Sequence, residues 1–336
     1  MKLLETVPAC YFPTTVIFVD DNKKFLENVH MQLSTITATY RYFNNPQEAL
    51  SFLNQYQLDP FTRRCLLQEE TDDFDQRAIH VKIKKIYQEI YNANRYYQVS
   101  VLVLDYAMPG MTGKELLEKL KDPHFKIILL TGEANHAKAV QLFNEGKIHY
   151  FIRKDEPNAI PGLKEAILRF QHEYFLDLSK PIIDSIINKA VLFNQTPSCL
   201  NDLVFIQFFN EFKEKYHIEQ YYLFDEIGSF LLLNENNELS WLVVLNEEEM
   251  IITENEMNES EVKISSALLK AIKNREVLRY CFNAAEHPAL NNIGEGKTLF
   301  YPATKLSGKN LYYYSHIIKP LTNPLINVKK ILLRNL

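Results

Sequence analysis

Two uninterrupted apolar runs constrain this chain most. SVLVLD (100–105) and KIILLT (126–131) show no polar–apolar alternation along their length. A strand of that kind buries both faces, as in a parallel sheet covered by helices on each side. The neighbouring segments agree. TTVIFVD (14–20) is a β-branched run. NKKFLENVHMQL follows it, with Phe25, Leu26, Val29 and Leu33 on one helical face. ATYRYF is a second strand, and NPQEALSFLNQY a second helix with Asn45 at its N-cap position. GKELLEKLK and NHAKAVQLFNEG are helices, and HYFIRK (149–154) is a fifth strand. Strand and helix alternate five times, which predicts a doubly wound α/β domain with a five-stranded parallel sheet.

Two parts of the chain lie outside that pattern. Residues 58–98 separate the second helix from the third strand. They contain the acidic stretch EETDDFD and then Ile79, Ile83, Ile86 and Ile90, spaced as one face of a helix. The expectation is an inserted helix docked on the α/β domain. A long helix from about Pro161 to Asn194, broken near Pro181, leads into the second half. There, NDLVFIQFFNEFKEKY reads as an amphipathic helix and YYLFDEIGSFLLLNENNELSWLVVL as three strands. SEVKISSALLKAIKNREVL reads as a helix, and LRYCF, TLFYPATKLS and NLYYYSHII as further strands. This is an α+β pattern with an antiparallel sheet. The linear division is a first domain over 1–175, a helical linker over 176–197 and a second domain over 198–336.

The 336 residues and their 46% hydrophobic content suffice for two domains. A net charge of −5 argues against broad attraction to nucleic acid or anionic membranes. Cys10, Cys65, Cys199 and Cys281 are scattered without CxxC or metal spacing, as expected of free thiols in a reducing compartment. The N-terminus lacks the apolar stretch of a signal peptide, and no segment approaches a membrane span. The expected location is cytoplasmic, without membrane attachment.

Ligands of open parallel sheets sit at the carboxyl ends of the strands. Strand one ends in Asp20 and Asp21, strand three in Asp105, strand four in Thr131 and strand five in Lys154. Neighbouring carboxylates repel unless a cation joins them, and Mg²⁺ suits a few carboxylates with a carbonyl and waters. An aspartate flanked by a metal, an ammonium and a hydroxyl is equipped to attack a phosphoryl group. Each residue also has a plainer reading. Asp20 and Asp21 could cap the first helix. Asp105 could cap the turn after its strand, and Thr131 could simply suit a strand. Lys154 could be solvated.

Taken together, Asp20–Asp21 after VIFV, DYAMPGMTG (105–113), LLTG (129–132) and FIRK (151–154) closely resemble the receiver domain of two-component response regulators. The resemblance covers residues 14 to about 173 and implies a flavodoxin-like fold. It implies that Asp105 accepts a phosphoryl group from a sensor histidine kinase. Asp20, Asp21, Asp105 and the Ala107 carbonyl would hold Mg²⁺, and Lys154 would contact the phosphoryl oxygens. Thr131 and Phe151 would form the switch, with a phosphorylation-dependent homodimer as one consequence. More loosely, the extended receiver with an unfamiliar output half resembles quorum-sensing response regulators. One departure stands out: the family's lysine is normally followed by proline, and here by Asp155.

The output half names no partner. Over 196–336 there are 18 acidic and 14 basic residues, which gives no support to a DNA-binding regulator, although 296–336 holds seven basic and no acidic residues. A phosphorylation-controlled DNA-binding transcriptional regulator is therefore the alternative reading. A phosphatase of the haloacid dehalogenase type needs a second aspartate two residues after the nucleophile, where Ala107 stands. No intrinsic enzymatic activity is expected apart from Mg-dependent phosphorylation and dephosphorylation of Asp105 itself.

Overall fold

The structure, a computed structural model, describes residues 6–33, 37–56, 61–68, 79–121, 123–132, 135–259, 265–281 and 298–318. The chain opens with β1 (Cys10–Tyr11), β2 (Thr15–Val19), α1 (Lys23–Leu33), β3 (Thr39–Phe43) and α2 (Pro46–Gln55). The insertion carries α3 (Phe61–Cys65), β4 (Leu66–Gln68), β5 (Ile79–Val81) and α4 (Ile83–Tyr87), then 3-10 turns at Gln88–Tyr91 and Ala93–Tyr97. Next come β6 (Val99–Asp105), α5 (Gly113–Lys119), β7 (Lys126–Thr131), α6 (His136–Asn144), β8 (Tyr150–Arg153) and α7 (Ala159–Leu192). The remainder comprises α8 (Leu203–Lys215), β9 (Ile218–Leu223), β10 (Phe230–Asn234), β11 (Leu239–Asn246), α9 (Glu247–Glu259), α10 (Ser266–Lys273), β12 (Val277–Cys281), β13 (Thr298–Pro302), β14 (Thr304–Ser307) and β15 (Leu311–Ile318).

These residues group into two compact units: 12–56 with 93–177, and 6–11 with 61–92 and 178–318. The first holds a five-stranded parallel sheet in the order β3-β2-β6-β7-β8, the flavodoxin-like arrangement. The apolar runs bury both faces, as the sequence implies. Ile17, Val19, Leu102 and Leu104 enter one core, and Val16, Phe18, Val101 and Val103 the other. Burying each such side chain contributes roughly 1.5–3 kcal/mol before entropy is counted. The strand order reverses between β2 and β6, so the crevice at their carboxyl ends is the switch point.

The second unit holds an antiparallel sheet in the order β1-β9-β10-β11-β15-β14 and a separate β12–β13 pair. Its core is aromatic. Phe209 of α8 meets Tyr221 at 5.0 Å and Phe230 at 4.7 Å between ring centroids, and Trp241 is buried.

Several expectations change. Of the inserted segment, 61–68 and 79–92 group with the antiparallel unit, whereas 93–98 group with the parallel one. Tyr87 packs at 4.8 Å, tilted, against Phe224, just beyond β9. Ile79 lies in β5, which pairs with β4, so the helix is confined to Ile83–Tyr87. Pairing with β4 outweighs the helical spacing there. EETDDFD lies outside the described residues. The N-terminal β1, not anticipated, pairs with β9 through Cys10–Tyr222 and Tyr11–Tyr221. Pro181 does not break α7. Its exposed position lets solvent meet the carbonyl that lost its donor. The grouping of residues changes within this helix, at 177/178. The acidic α9 is a helix not anticipated from the sequence, and of the 260–278 segment expected to be helical, 265–278 is described and is helical over Ser266–Lys273.

Candidate functional site

The site residues stand where strands of the parallel sheet end. The Asp20 N–H donates to the Phe43 carbonyl at 3.0 Å, which ties the end of β2 to β3. Asp20 and Asp105 are buried, whereas Asp21 is exposed. The three carboxylates each offer an oxygen within 4.8 Å of the others. Lys154, one residue beyond β8, reaches into this group. Its Nζ lies 2.6 Å from Asp20 Oδ2 and 2.9 Å from Asp105 Oδ1. The Lys154 N–H donates to the Thr131 carbonyl at 2.9 Å, which extends the β7–β8 ladder to the lysine.

The caps of the two flanking helices are supplied by other residues. The cap of α1 is Asn22, whose Oδ1 accepts from the Phe25 N–H at 3.1 Å. The Asn22 N–H in turn donates to Asp20 Oδ1 at 3.0 Å. After β6, α5 is capped by Thr112 and Glu115 in a reciprocal box. Neither helix therefore relies on the clustered aspartates for its cap.

Burial pushes the Asp105 carboxyl above the ordinary carboxylate range. Lys154 and the Ala107 backbone N–H oppose that shift, while Asp20 adds to it. Burial also disfavours the charge on Lys154, but bonds to Asp105 and Asp20 outweigh it and hold the ammonium above its usual range. Three carboxylates against one ammonium leave the crevice negative. The donor set is all oxygen, the hard chemistry that Mg²⁺ takes. These residues fit a hard divalent cation such as Mg²⁺.

The other candidates fall at different distances from this chemistry. Thr131 is fully buried and its hydroxyl donates to the Gly132 carbonyl at 3.0 Å. Phe151 is half-buried, edge-to-face with His136 at 5.5 Å and Phe143 at 6.1 Å. Ala107 is exposed in the loop after β6. Two contributors escaped sequence reading. Phe25 places its ring 4.8 Å from Lys154 Nζ, although its spacing signalled only a helix face. At Gly113, a Cβ would come within 2.6 Å of the Asp105 carbonyl oxygen. Only a glycine lets α5 start so close to the acceptor's backbone.

This arrangement is that of a receiver, and comparison with known proteins agrees. The response regulator receiver domain matches residues 66–166. The chain belongs to the response regulators of two-component signalling. It is similar to a solved structure, the Legionella pneumophila response regulator LqsR, with 30% identity and a TM-score of 0.71. That similarity covers 94% of this chain and 91% of the other. Two Arabidopsis thaliana two-component response regulators are also similar. One is 28% identical over 161 residues, 46% of this chain, and the other 30% identical over 76 residues, 21% of this chain. The chain spans 60% and 37% of the lengths of these curated relatives. Among the described residues, no helix is long and apolar enough to cross a membrane.

Proposed function

We propose that the chain is a phosphorelay response regulator that takes a phosphoryl group onto Asp105 from a histidine kinase. The observation that carries this reading is Lys154 Nζ set between Asp20 and Asp105, with Asp21 in the same cluster. An Asp105 carboxylate oxygen attacks phosphorus. A P–O bond forms as the P–N bond to the kinase histidine breaks, and the imidazole nitrogen leaves with the electron pair. Lys154 offsets charge on the transferring oxygens. Asp20, Asp21, Asp105 and the Ala107 carbonyl would hold Mg²⁺. When bound, the cation neutralises phosphoryl charge that the single ammonium leaves unbalanced.

The Thr131 hydroxyl, which donates to its neighbour's carbonyl, can exchange that bond for a phosphoryl oxygen. Phe151, half-buried on β8, would follow as Thr131 moves. Exposed Phe143, Tyr150 and Leu168 on α6, β8 and α7 give the switch an apolar face for a homodimer. Output through protein contacts, in a cytoplasmic quorum-sensing type of system, fits the acidic second half and the likeness to LqsR. The DNA-binding alternative rests on the basic 296–336 stretch, of which only 298–318 is described.

The test is incubation with acetyl phosphate and Mg²⁺, read by intact mass and by light scattering after gel filtration. The wild type should gain one phosphoryl mass and Asp105→Asn none. A parallel rise in molar mass would make dimerisation the output step.

A further inference from the structure

Lys154 is anchored unevenly. On its N-terminal side, Arg153 is paired with Thr131 in the β7–β8 ladder, and the Lys154 N–H extends that ladder by one bond. On its C-terminal side, residues 155–158 are exposed turn, and regular structure resumes only at Ala159. The lysine that reaches two buried carboxylates thus sits where the strand ends, and beyond it a single turn bond, from the Glu156 N–H to the Arg153 carbonyl at 3.3 Å, closes across Lys154 and Asp155. The two residues that flank it pair with each other. Arg153 Nε donates to Asp155 Oδ1 at 3.2 Å, and Arg153 Nη2 to Asp155 Oδ2 at 2.6 Å. This is a two-bond fork from guanidinium to carboxylate, the geometry that fixes direction as well as distance. Arg153 also stands 3.8 Å from Glu156. The Arg153 guanidinium, acting first, holds the Asp155 carboxyl below its usual range, so the fork is charged at neutral pH.

We infer that the Arg153–Asp155 fork is a clip that positions Lys154 for phosphoryl transfer. The inference rests on the reading of Asp105 as acceptor. The fork spans the peptide units on both sides of Lys154 and, beyond the sheet, adds to the Glu156–Arg153 turn bond in restraining their rotation. It acts through Lys154 and touches no substrate, so both residues are positioning residues. An exposed ion pair contributes little to overall stability. Its effect on rate can still be large, because a displacement near 1 Å at a reacting group costs up to roughly 10²-fold.

The experiment uses the full chain with acetyl phosphate and Mg²⁺. It compares wild type, Asp155→Asn, Asp155→Glu and the double swap Arg153→Asp/Asp155→Arg. Initial phosphorylation rates are followed against acetyl phosphate concentration, and melting temperatures are measured alongside. Asp155→Asn should lower the limiting rate several-fold with little change in half-saturation and an unchanged melting temperature. The double swap, and in part Asp155→Glu, should restore the rate, and added salt should slow the wild type but not Asp155→Asn. The clip is overturned if Asp155→Asn matches the wild-type rate. It is equally overturned if the rate falls only with the melting temperature and the swap does not rescue it. A wild type that takes up no phosphoryl group removes the acceptor reading itself, and the clip with it.

Discussion

The Lys154 ammonium lies 2.9 Å from the Asp105 carboxylate, and it is the positive charge that makes the buried acceptor tolerable. Burial drives Asp105 toward its neutral form, and Lys154 draws it back. Lys154→Ala should therefore raise the Asp105 pKa further and lower phosphoryl uptake from acetyl phosphate by roughly 10²-fold, the scale of losing one preorganised charge at a reacting centre. Uptake kinetics and a carboxyl titration by NMR would check both parts.

Asp105 also carries a stability signature. Its folded pKa is raised above 3.8, so the fold binds this proton more tightly than the unfolded chain does. Stability from this group is complete below pH 3.8 and is lost as pH rises through the raised value. At neutral pH the ionised carboxylate is a cost, and Asp105→Asn should melt higher than wild type. The gap should narrow as pH falls toward 4. Mg²⁺ should narrow it at neutral pH, by stabilising the wild type preferentially, and chelator should restore it.

His149 gives a second pH response of opposite sense. Its Nδ1 accepts the Ile127 N–H at 3.0 Å, which requires that nitrogen unprotonated. Burial, then Lys126, lowers its pKa below 6.5, with Asp177 opposing. The associated stability is present above pH 6.5 and declines as pH falls through the depressed folded value. His149→Ala should cost about 1 kcal/mol at pH 7.5 and flatten the profile below 6.5. Chemical denaturation across that range measures both.

Gly113→Ala should destabilise the receiver by about 1–3 kcal/mol, because the new Cβ meets the Asp105 carbonyl oxygen at 2.6 Å and the Tyr106 Cα at 3.1 Å. Phosphorylation should fall by more than the loss of folded protein explains, since the displaced backbone carries the acceptor.

Tyr87→Ala should loosen the antiparallel unit and not the receiver sheet. Tyr87 is buried and packs against Phe224, and such truncations cost about 3 kcal/mol or more. Hydrogen exchange should quicken across 218–246 and stay unchanged across 99–105 and 126–131. Faster exchange in the parallel strands instead would mean that the insertion supports the receiver.

The sequence by itself determined the parallel sheet and the residues that ring its crevice. Continuous apolar runs and the residue ending each run are local features, and the strand order brings those ends together without further information. Asp20, Asp21, Asp105 and Lys154 were legible for that reason. What only the tertiary structure decided depends on pairing between distant segments. Ile79 follows a helical spacing yet pairs as a strand, and Cys10–Tyr11 joins the second unit through β9. The 58–98 insertion reads as docked on the receiver, but its described residues 61–68 and 79–92 group with the antiparallel sheet. Phe25 beneath Lys154 and the Arg153–Asp155 fork beside it were equally invisible, because spacing along a chain does not encode which side chains meet across a turn or a crevice.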